Sequence, residues 1–130
     1  MVLSGSVNGS GFDDGIGQYA GFFNVMDMIQ INNGSEVIIA DGNHCVRKLN
    51  RTSNTVTTIA GICGNVDGLL SHEVPAGDAA IFALKAVIAN EEKQELYYLC
   101  NANRGLLARH NLTSSKYTKI CYNAFVSYPF

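Results

Sequence analysis

The chain has 130 residues, of which 47% are hydrophobic and 15% are charged, and these proportions fit one compact domain and argue against global disorder. A formal net charge of −2 gives no overall field that would attract nucleic acid or an anionic membrane. The apolar runs are much shorter than the roughly 20 residues of a membrane-spanning helix, so we expect no membrane insertion. The first ten residues lack the charged and apolar regions of a secretory signal, so secretion is unsupported rather than excluded.

Strand-forming segments separated by turn residues recur along the chain in two sets. The first set covers residues 25–31, 36–40, 45–49 and 55–60, and the second covers residues 84–89, 95–100, 105–109 and 116–120. Gly42-Asn43 supplies the backbone freedom of a tight hairpin turn in the first set. Each set is therefore predicted to form a four-stranded antiparallel meander.

The two sets are copies of one repeat whose spacing is not constant. Residues 41–44 match residues 101–104 at an offset of 60 residues (101 − 41), whereas Asp14-Gly15 matches Asp67-Gly68 at an offset of 53 residues (67 − 14). We assign the difference to a loop insertion around residues 71–78.

The extreme N-terminus matches the last strand of the first set, since Leu3-Ser4-Gly5 aligns with Ile59-Ala60-Gly61. The predicted organisation is a single last strand of a preceding repeat, two full repeats and a tail. These parts cover residues 1–5, 6–61, 62–121 and 122–130 respectively.

Several short motifs of the first copy belong together as a set. They are the connector Asp14-Gly15, a strand that ends in Ala40-Asp41, the turn Asn43-His44 and the closing strand of residues 56–61. This set resembles an NHL repeat, the unit of one β-propeller blade. The second copy keeps Asp67-Gly68, Asn103-Arg104 and Thr118, and departs from the pattern elsewhere.

The resemblance implies an all-β fold of two four-stranded antiparallel blades of an NHL-type β-propeller, plus one N-terminal strand from a neighbouring blade. A repeat of this kind cannot bury its hydrophobic faces alone. The chain is therefore expected to be part of a larger propeller or to self-associate into an oligomeric ring, in which three copies would supply six blades.

A propeller scaffold indicates an architecture rather than an activity. Because the motifs include no catalytic set, we predict a binding or scaffold module with a protein or peptide ligand on the loop-bearing face and no cofactor. The candidate binding residues are His44, Arg47 and Arg104. For His44 and Arg47 the other interpretation is hydrogen bonding within or between blades. No catalytic residue and no metal ligand is predicted.

Two alternatives follow from branches of the same family. Some NHL-like propellers resemble peptide-amidating lyases, which hold zinc through histidines of different blades. Here His44, His72 and His110 occupy positions that are not equivalent, so a metal-assisted lyase or hydrolase would form only in a complete propeller.

The other alternative is an RNA-binding NHL module, since animal NHL domains bind RNA through a basic face. Arg47-Lys48-Arg51 is the one local basic cluster in the sequence, so nucleic acid is not the expected partner. Asp13-Asp14 lies in a glycine-rich connector, which predicts a solvated turn, with calcium binding as the alternative.

The four cysteines have no spacing that is typical of zinc sites. Four half-buried thiols of an intracellular protein are the first expectation. If a disulfide forms, Cys45 with Cys63 is the more plausible pair, because Cys100 and Cys121 would lie roughly 9–10 Å apart, two strand spacings, within one sheet. Glycosylation sequons begin at Asn8, Asn33, Asn50 and Asn111 in predicted turns and leave an extracellular origin open.

Overall fold

The computed structural model describes residues 4–6, 11–42, 44–64, 73–81, 84–100 and 106–121, with the backbone alone for residues 106 and 119–121. The strands in chain order are β1 (Gly15–Ile16), β2 (Val25–Ile31), β3 (Glu36–Asp41), β4 (Cys45–Asn50), β5 (Thr55–Gly61), β6 (Glu73–Pro75), β7 (Leu84–Asn90), β8 (Glu95–Cys100), β9 (Leu106–Asn111) and β10 (Lys116–Cys121). Three short 3-10 helices are η1 (Gly17–Tyr19), η2 (Asn32–Gly34) and η3 (Ala76–Asp78). Within these ranges there is no α-helix, and no helix is long and apolar enough to cross a membrane.

The strands form two antiparallel sheets of five strands each, which confirms the all-β class. Sheet 1 has the order β1-β5-β4-β3-β2, and sheet 2 has the order β6-β10-β9-β8-β7. The expectation of four strands per sheet is wrong, because a short strand that precedes each meander pairs with the last strand of that meander. The bounds of the eight longer strands lie within two residues of the predicted ones, and the largest difference is the end of β9 at Asn111 rather than Arg109.

The register of the two sheets shows which residues are equivalent. Gly15 pairs with Val56 in sheet 1, and Val74 pairs with Tyr117 in sheet 2, so β1 corresponds to β6 at an offset of 59 residues (74 − 15). The same offset holds through β2 and β3. From β4 onward the offset is 61 residues (106 − 45), because the number of residues between β8 and β9 exceeds that between β3 and β4 by two.

The predicted loop insertion around residues 71–78 is therefore wrong for the part that the structure describes. Residues 73–78 form β6 and η3, which are the counterparts of β1 and η1. Backbone bonds fix this equivalence, since Gly17 N–H donates to the Asn54 carbonyl and Ala76 N–H donates to the Ser115 carbonyl. The match between the two Asp-Gly pairs gave the wrong offset, because Asp and Gly are common in turns and do not specify strand register. Asp67-Gly68, residues 101–104 and the tail lie outside the described residues.

The predicted N-terminal strand is only partly described. Residues 1–3 lie outside the described residues, and Ser4 and Gly5 form a bend rather than a strand. The bend contacts η1, because Gly5 N–H donates to the Gly17 carbonyl at 3.1 Å.

Side chains alternate between the two faces of each sheet and build two cores. Ile38, Ala40 and Val46 of sheet 1 face sheet 2 and pack in the main core. Sheet 2 contributes mainly Leu84, Val87, Leu96, Tyr98, Ala108 and Tyr117 to this core. A smaller core on the other face of sheet 1 joins Ile39, Leu49 and Val56 to Ala20 of the N-terminal segment.

Candidate functional site

The Arg47 side chain is completely buried and is held by contacts within the chain. Its Nη1 donates to the Asp41 carboxylate and to the Gly21 carbonyl, each at 2.9 Å. Its Nη2 donates to the Asp14 carboxylate at 2.9 Å and to the Asp13 carbonyl at 3.0 Å. Because both side chains of the Arg47–Asp41 pair are 0% exposed, a ligand could not reach the guanidinium in this conformation. Arg47 thus joins β4 to the N-terminal segment.

The two carboxylates that bind Arg47 also accept hydrogen bonds from the backbone. Asp41 accepts from the amides of Phe23 at 3.0 Å and Asn24 at 2.8 Å, which fixes the segment that enters β2. Asp14 accepts from the amide of Thr58 at 3.0 Å and from its hydroxyl at 2.9 Å. The Asp14 side chain is 46% exposed, so the predicted solvated turn is half-exposed and tied to β5.

Of the other two candidate binding residues, only His44 is described, and it does not lie beside Arg47. His44 is half-buried in the turn between β3 and β4, and its Nδ1 lies 3.1 Å from the carbonyl oxygen of Ile81, in the segment that enters β7. Arg104 lies outside the described residues. His44 therefore makes a contact between the two repeats.

A cleft of about 500 Å³ opens between the sheets at the end that carries the β2–β3, β7–β8 and β9–β10 turns. Its apolar lining includes Ile31, Ile59 and Leu112. Its polar lining consists of Asn32, Glu36, Lys48, Thr58, Gln94, His110 and Ser115. Arg47 points to the other face of β4, and His44 lies at the opposite end of the strands. The cleft is therefore distinct from the candidate binding residues predicted from the sequence.

An ion pair forms one wall of the cleft. Lys48 Nζ lies 3.0 Å from the Glu36 carboxylate, and the Asn32 side-chain amide also donates to Glu36. Burial raises the pKa of Glu36, but hydrogen bonds from Lys48 and Asn32 together with the Lys48 charge outweigh burial, so the net pKa lies below its usual value. The carboxylate stays ionised and neutralises the lysine, which leaves this wall with no net charge.

His110, which lines the cleft, belongs to a buried polar cluster of sheet 2. His110 is 2% exposed, and its Nδ1 lies 2.5 Å from the hydroxyl oxygen of Tyr98. Burial lowers the pKa of His110 to about 4, so the imidazole is neutral at pH 7. The Tyr98 ring stacks on Tyr117 with the centroids 6.3 Å apart, and burial raises the pKa of both phenols.

Sheet 1 has apolar residues in place of this cluster. Ile39, Leu49 and Val56 occupy the positions of Tyr98 (98 − 39 = 59), His110 (110 − 49 = 61) and Tyr117 (117 − 56 = 61). Reasoning from the sequence treated His110 only as one of three histidines and did not find the cluster. Tyr98, His110 and Tyr117 fall on one face of three adjacent strands, and this can be recognised only once the register of the β8–β9 and β9–β10 pairs is known.

The cysteines depart from the first expectation of four thiols. Cys45 and Cys63 form a disulfide with their Cα atoms 4.9 Å apart, and it ties the start of β4 to the segment after β5. Gly61 pairs with Cys45 at the end of β5, and its φ of 75° turns the chain back so that Cys63 reaches β4. Cys100 is a buried thiol beside Tyr117. The side chain of Cys121 lies outside the described residues.

The lyase alternative depends on the histidines, and the RNA alternative depends on the basic cluster of Arg47, Lys48 and Arg51. His44 and His110 lie at opposite ends of the strands, and no three His, Cys, Asp or Glu side chains in the described ranges are grouped to hold a metal ion. In the basic cluster Arg47 is buried, Lys48 pairs with Glu36, and Arg51 donates to the Gly34 carbonyl at 3.0 Å. The lyase and RNA alternatives both stay predictions.

Comparison with known proteins identifies the fold alone. No family model and no curated protein matches the chain. Among solved structures, the chain is similar to a structural genomics protein of unknown function from Bacteroides thetaiotaomicron VPI-5482, whose crystal structure was determined at 1.70 Å resolution. The two share 20% sequence identity with a TM-score of 0.64, over 92% of this chain and 26% of the other. The chain thus spans about a quarter of the length of that protein.

Proposed function

We propose that this chain is a binding or scaffold module of NHL type, in which sheets 1 and 2 are adjacent blades of a β-propeller. The equivalent strands β2 and β7 lie next to each other, as expected for neighbouring blades, and the Asp27 carboxylate accepts a hydrogen bond from Val87 N–H at 3.1 Å. The similar solved structure matches nearly all of this chain within a longer one, so the same arrangement of two sheets occurs there as part of a larger protein. The complete propeller would be supplied by further repeats or by further copies.

The observation that carries the binding proposal is the cleft at the turn-bearing end. A protein or peptide ligand suits its lining, because apolar side chains lie beside groups that form hydrogen bonds. The wall of Lys48 and Glu36 is internally neutralised, and the His110 ring is uncharged at pH 7. A cleft without net charge gives no preference for a polyanion, and it favours a peptide segment that inserts an apolar side chain.

Filling the cleft tests this proposal. Gly77 lines the cleft, and a Cβ atom at this position would meet no atom within 4 Å, so Gly77→Trp would occupy the ligand space with little internal strain. The probe is a peptide selected on the unmodified protein from a random display library, with its Kd measured by calorimetry. We expect Gly77→Trp to weaken binding at least about tenfold, the equivalent of about 1.4 kcal/mol.

Thr113→Trp is the matched control, because Thr113 is exposed in the β9–β10 turn and does not line the cleft. It should leave the Kd unchanged. If the library yields no specific peptide, or if a selected peptide binds Gly77→Trp as well as the unmodified protein, the cleft is not the binding site.

A further inference from the structure

We propose that copies of this chain associate head to tail. The face of sheet 2 that points away from sheet 1 in one copy packs against the face of sheet 1 that points away from sheet 2 in the next copy. The inference rests on the blade arrangement of the proposed function and is independent of the peptide ligand. Its basis is the junction that already exists within the chain, where the face of sheet 1 that carries Ile29 and Ala40 packs against the face of sheet 2 that carries Leu84 and Val87.

The face of sheet 1 that points away from sheet 2, here called the N-face, carries apolar residues on β2 that are largely exposed in the single chain. Val25 is 44% exposed and Met28 is 57% exposed. Their equivalents in sheet 2 are Leu84 (84 − 25 = 59) and Val87 (87 − 28 = 59), which are 0% and 1% exposed because sheet 1 covers them. The difference in burial at equivalent positions shows that the N-face lacks the neighbouring sheet that covers Leu84 and Val87.

The face of sheet 2 that points away from sheet 1, here called the C-face, also carries exposed apolar residues. Ile88 is 62% exposed and Leu99 is 47% exposed. Their equivalents in sheet 1 are Ile29 (88 − 59) and Ala40 (99 − 59), which pack in the main core against sheet 2. Ala40 is 0% exposed, so this position is buried wherever a neighbouring sheet is present.

The N-face and the C-face are thus the two halves of the internal junction, presented at opposite ends of the molecule. A second copy of the chain carries both halves, and its N-face offers to the C-face the same strand positions that sheet 2 offers to sheet 1. The contact joins two different surfaces and is therefore heterologous, which leads to a ring if the rotation closes and to a filament if it does not. Exposed apolar side chains grouped on a sheet face are typical of such interfaces.

Single charges placed on each face test the proposal. Met28→Asp blocks the N-face and Leu99→Asp blocks the C-face, and both positions are exposed, so folding should be retained and is checked by circular dichroism. By sedimentation equilibrium we expect the unmodified chain to exceed the 14.0 kDa of one copy and each variant alone to remain at 14.0 kDa. Thr113→Asp, on an exposed turn, should assemble like the unmodified chain.

The decisive sample is an equimolar mixture of the two variants. Each variant retains the face that the other has lost, so the mixture should form a one-to-one complex of twice the single-chain mass and nothing larger. A monomeric mixture, a variant that still associates with itself, or an unmodified chain that stays folded and monomeric at every concentration would overturn the proposal. Peptide binding that is lost in Gly77→Trp but unchanged in these variants would leave the proposed function intact.

Discussion

Replacing Arg47 with methionine removes the guanidinium that joins β4 to the N-terminal segment. Its partner Asp41 is 0% exposed, so the variant leaves a buried carboxylate without its cation, and a change of this kind costs about 3–5 kcal/mol. The pair with the half-exposed Asp14 adds at most about 1 kcal/mol, because solvent screens it. Small domains unfold with about 5–15 kcal/mol in total, so we expect Arg47→Met to lose a large part of the stability.

The assay is urea unfolding followed by circular dichroism, at one protein concentration for all variants. Lys48→Met is the matched control in the next position of β4, since the Lys48 and Glu36 side chains are 36% and 19% exposed and their pair should contribute no more than about 1 kcal/mol. Adding Asp41→Asn to Arg47→Met removes the unpaired charge while keeping an acceptor for the amides of Phe23 and Asn24. The double variant should therefore lose less than the sum of the single losses.

If Arg47→Met and Lys48→Met lowered the free energy of unfolding by the same small amount, Arg47 would not hold a buried charge pair. Strictly additive losses for Asp41→Asn and Arg47→Met would likewise contradict the pair, because additivity means that the two side chains do not interact.

Three further predictions concern stability. Reducing the Cys45–Cys63 bridge, whose cysteines are 18 positions apart, should cost about 3 kcal/mol, and a serine variant at both positions should lose the response of Tm to reductant. The imidazole of the unfolded chain binds a proton near pH 6.5, whereas buried His110 does so only at about pH 4. The free energy of unfolding should therefore fall by up to about 3 kcal/mol as the pH is lowered between these values. A His110→Leu variant that showed the same loss in a pH titration would contradict the assignment to His110. Gly61 has a φ of 75°, and a Cβ there would overlap a carbonyl oxygen of the β3–β4 turn, so Gly61→Ala should cost more than about 1 kcal/mol in urea unfolding. Gly77→Ala, where nothing lies nearby, should not, and equal losses would argue against the clash.

The longer strands could be predicted because their signals are local. Alternating strand formers and the turn residues between them place β2 at Val25–Ile31, as predicted, and Gly42 adopts the positive φ of 61° that a tight turn requires. The short strands β1 and β6 could not be predicted in this way. A two-residue strand has no periodicity, and Pro75 within β6 is typical of a turn, so pairing with the last strand of each meander determines their conformation.

The candidate site was harder to predict, because it depends on which residues the register brings together. Arg47 looked like part of a basic cluster, but it lies on the face of β4 that packs against the N-terminal segment, where it is buried beside Asp41 and Asp14. His110 lines the cleft only because β9 lies between β8 and β10, where it meets Tyr98. Such long-range pairings are not encoded in any short stretch of residues, whereas the turn chemistry is.

In the proposed arrangement, each sheet is one repeat of a propeller-like stack whose two end faces match each other. The most direct test is the solution mass of the unmodified chain by sedimentation equilibrium over a range of concentrations. We expect a folded assembly whose mass is a multiple of 14.0 kDa and dissociates on dilution. A cooperative, fully folded species that stays at 14.0 kDa throughout would contradict the claim that the end faces need partners.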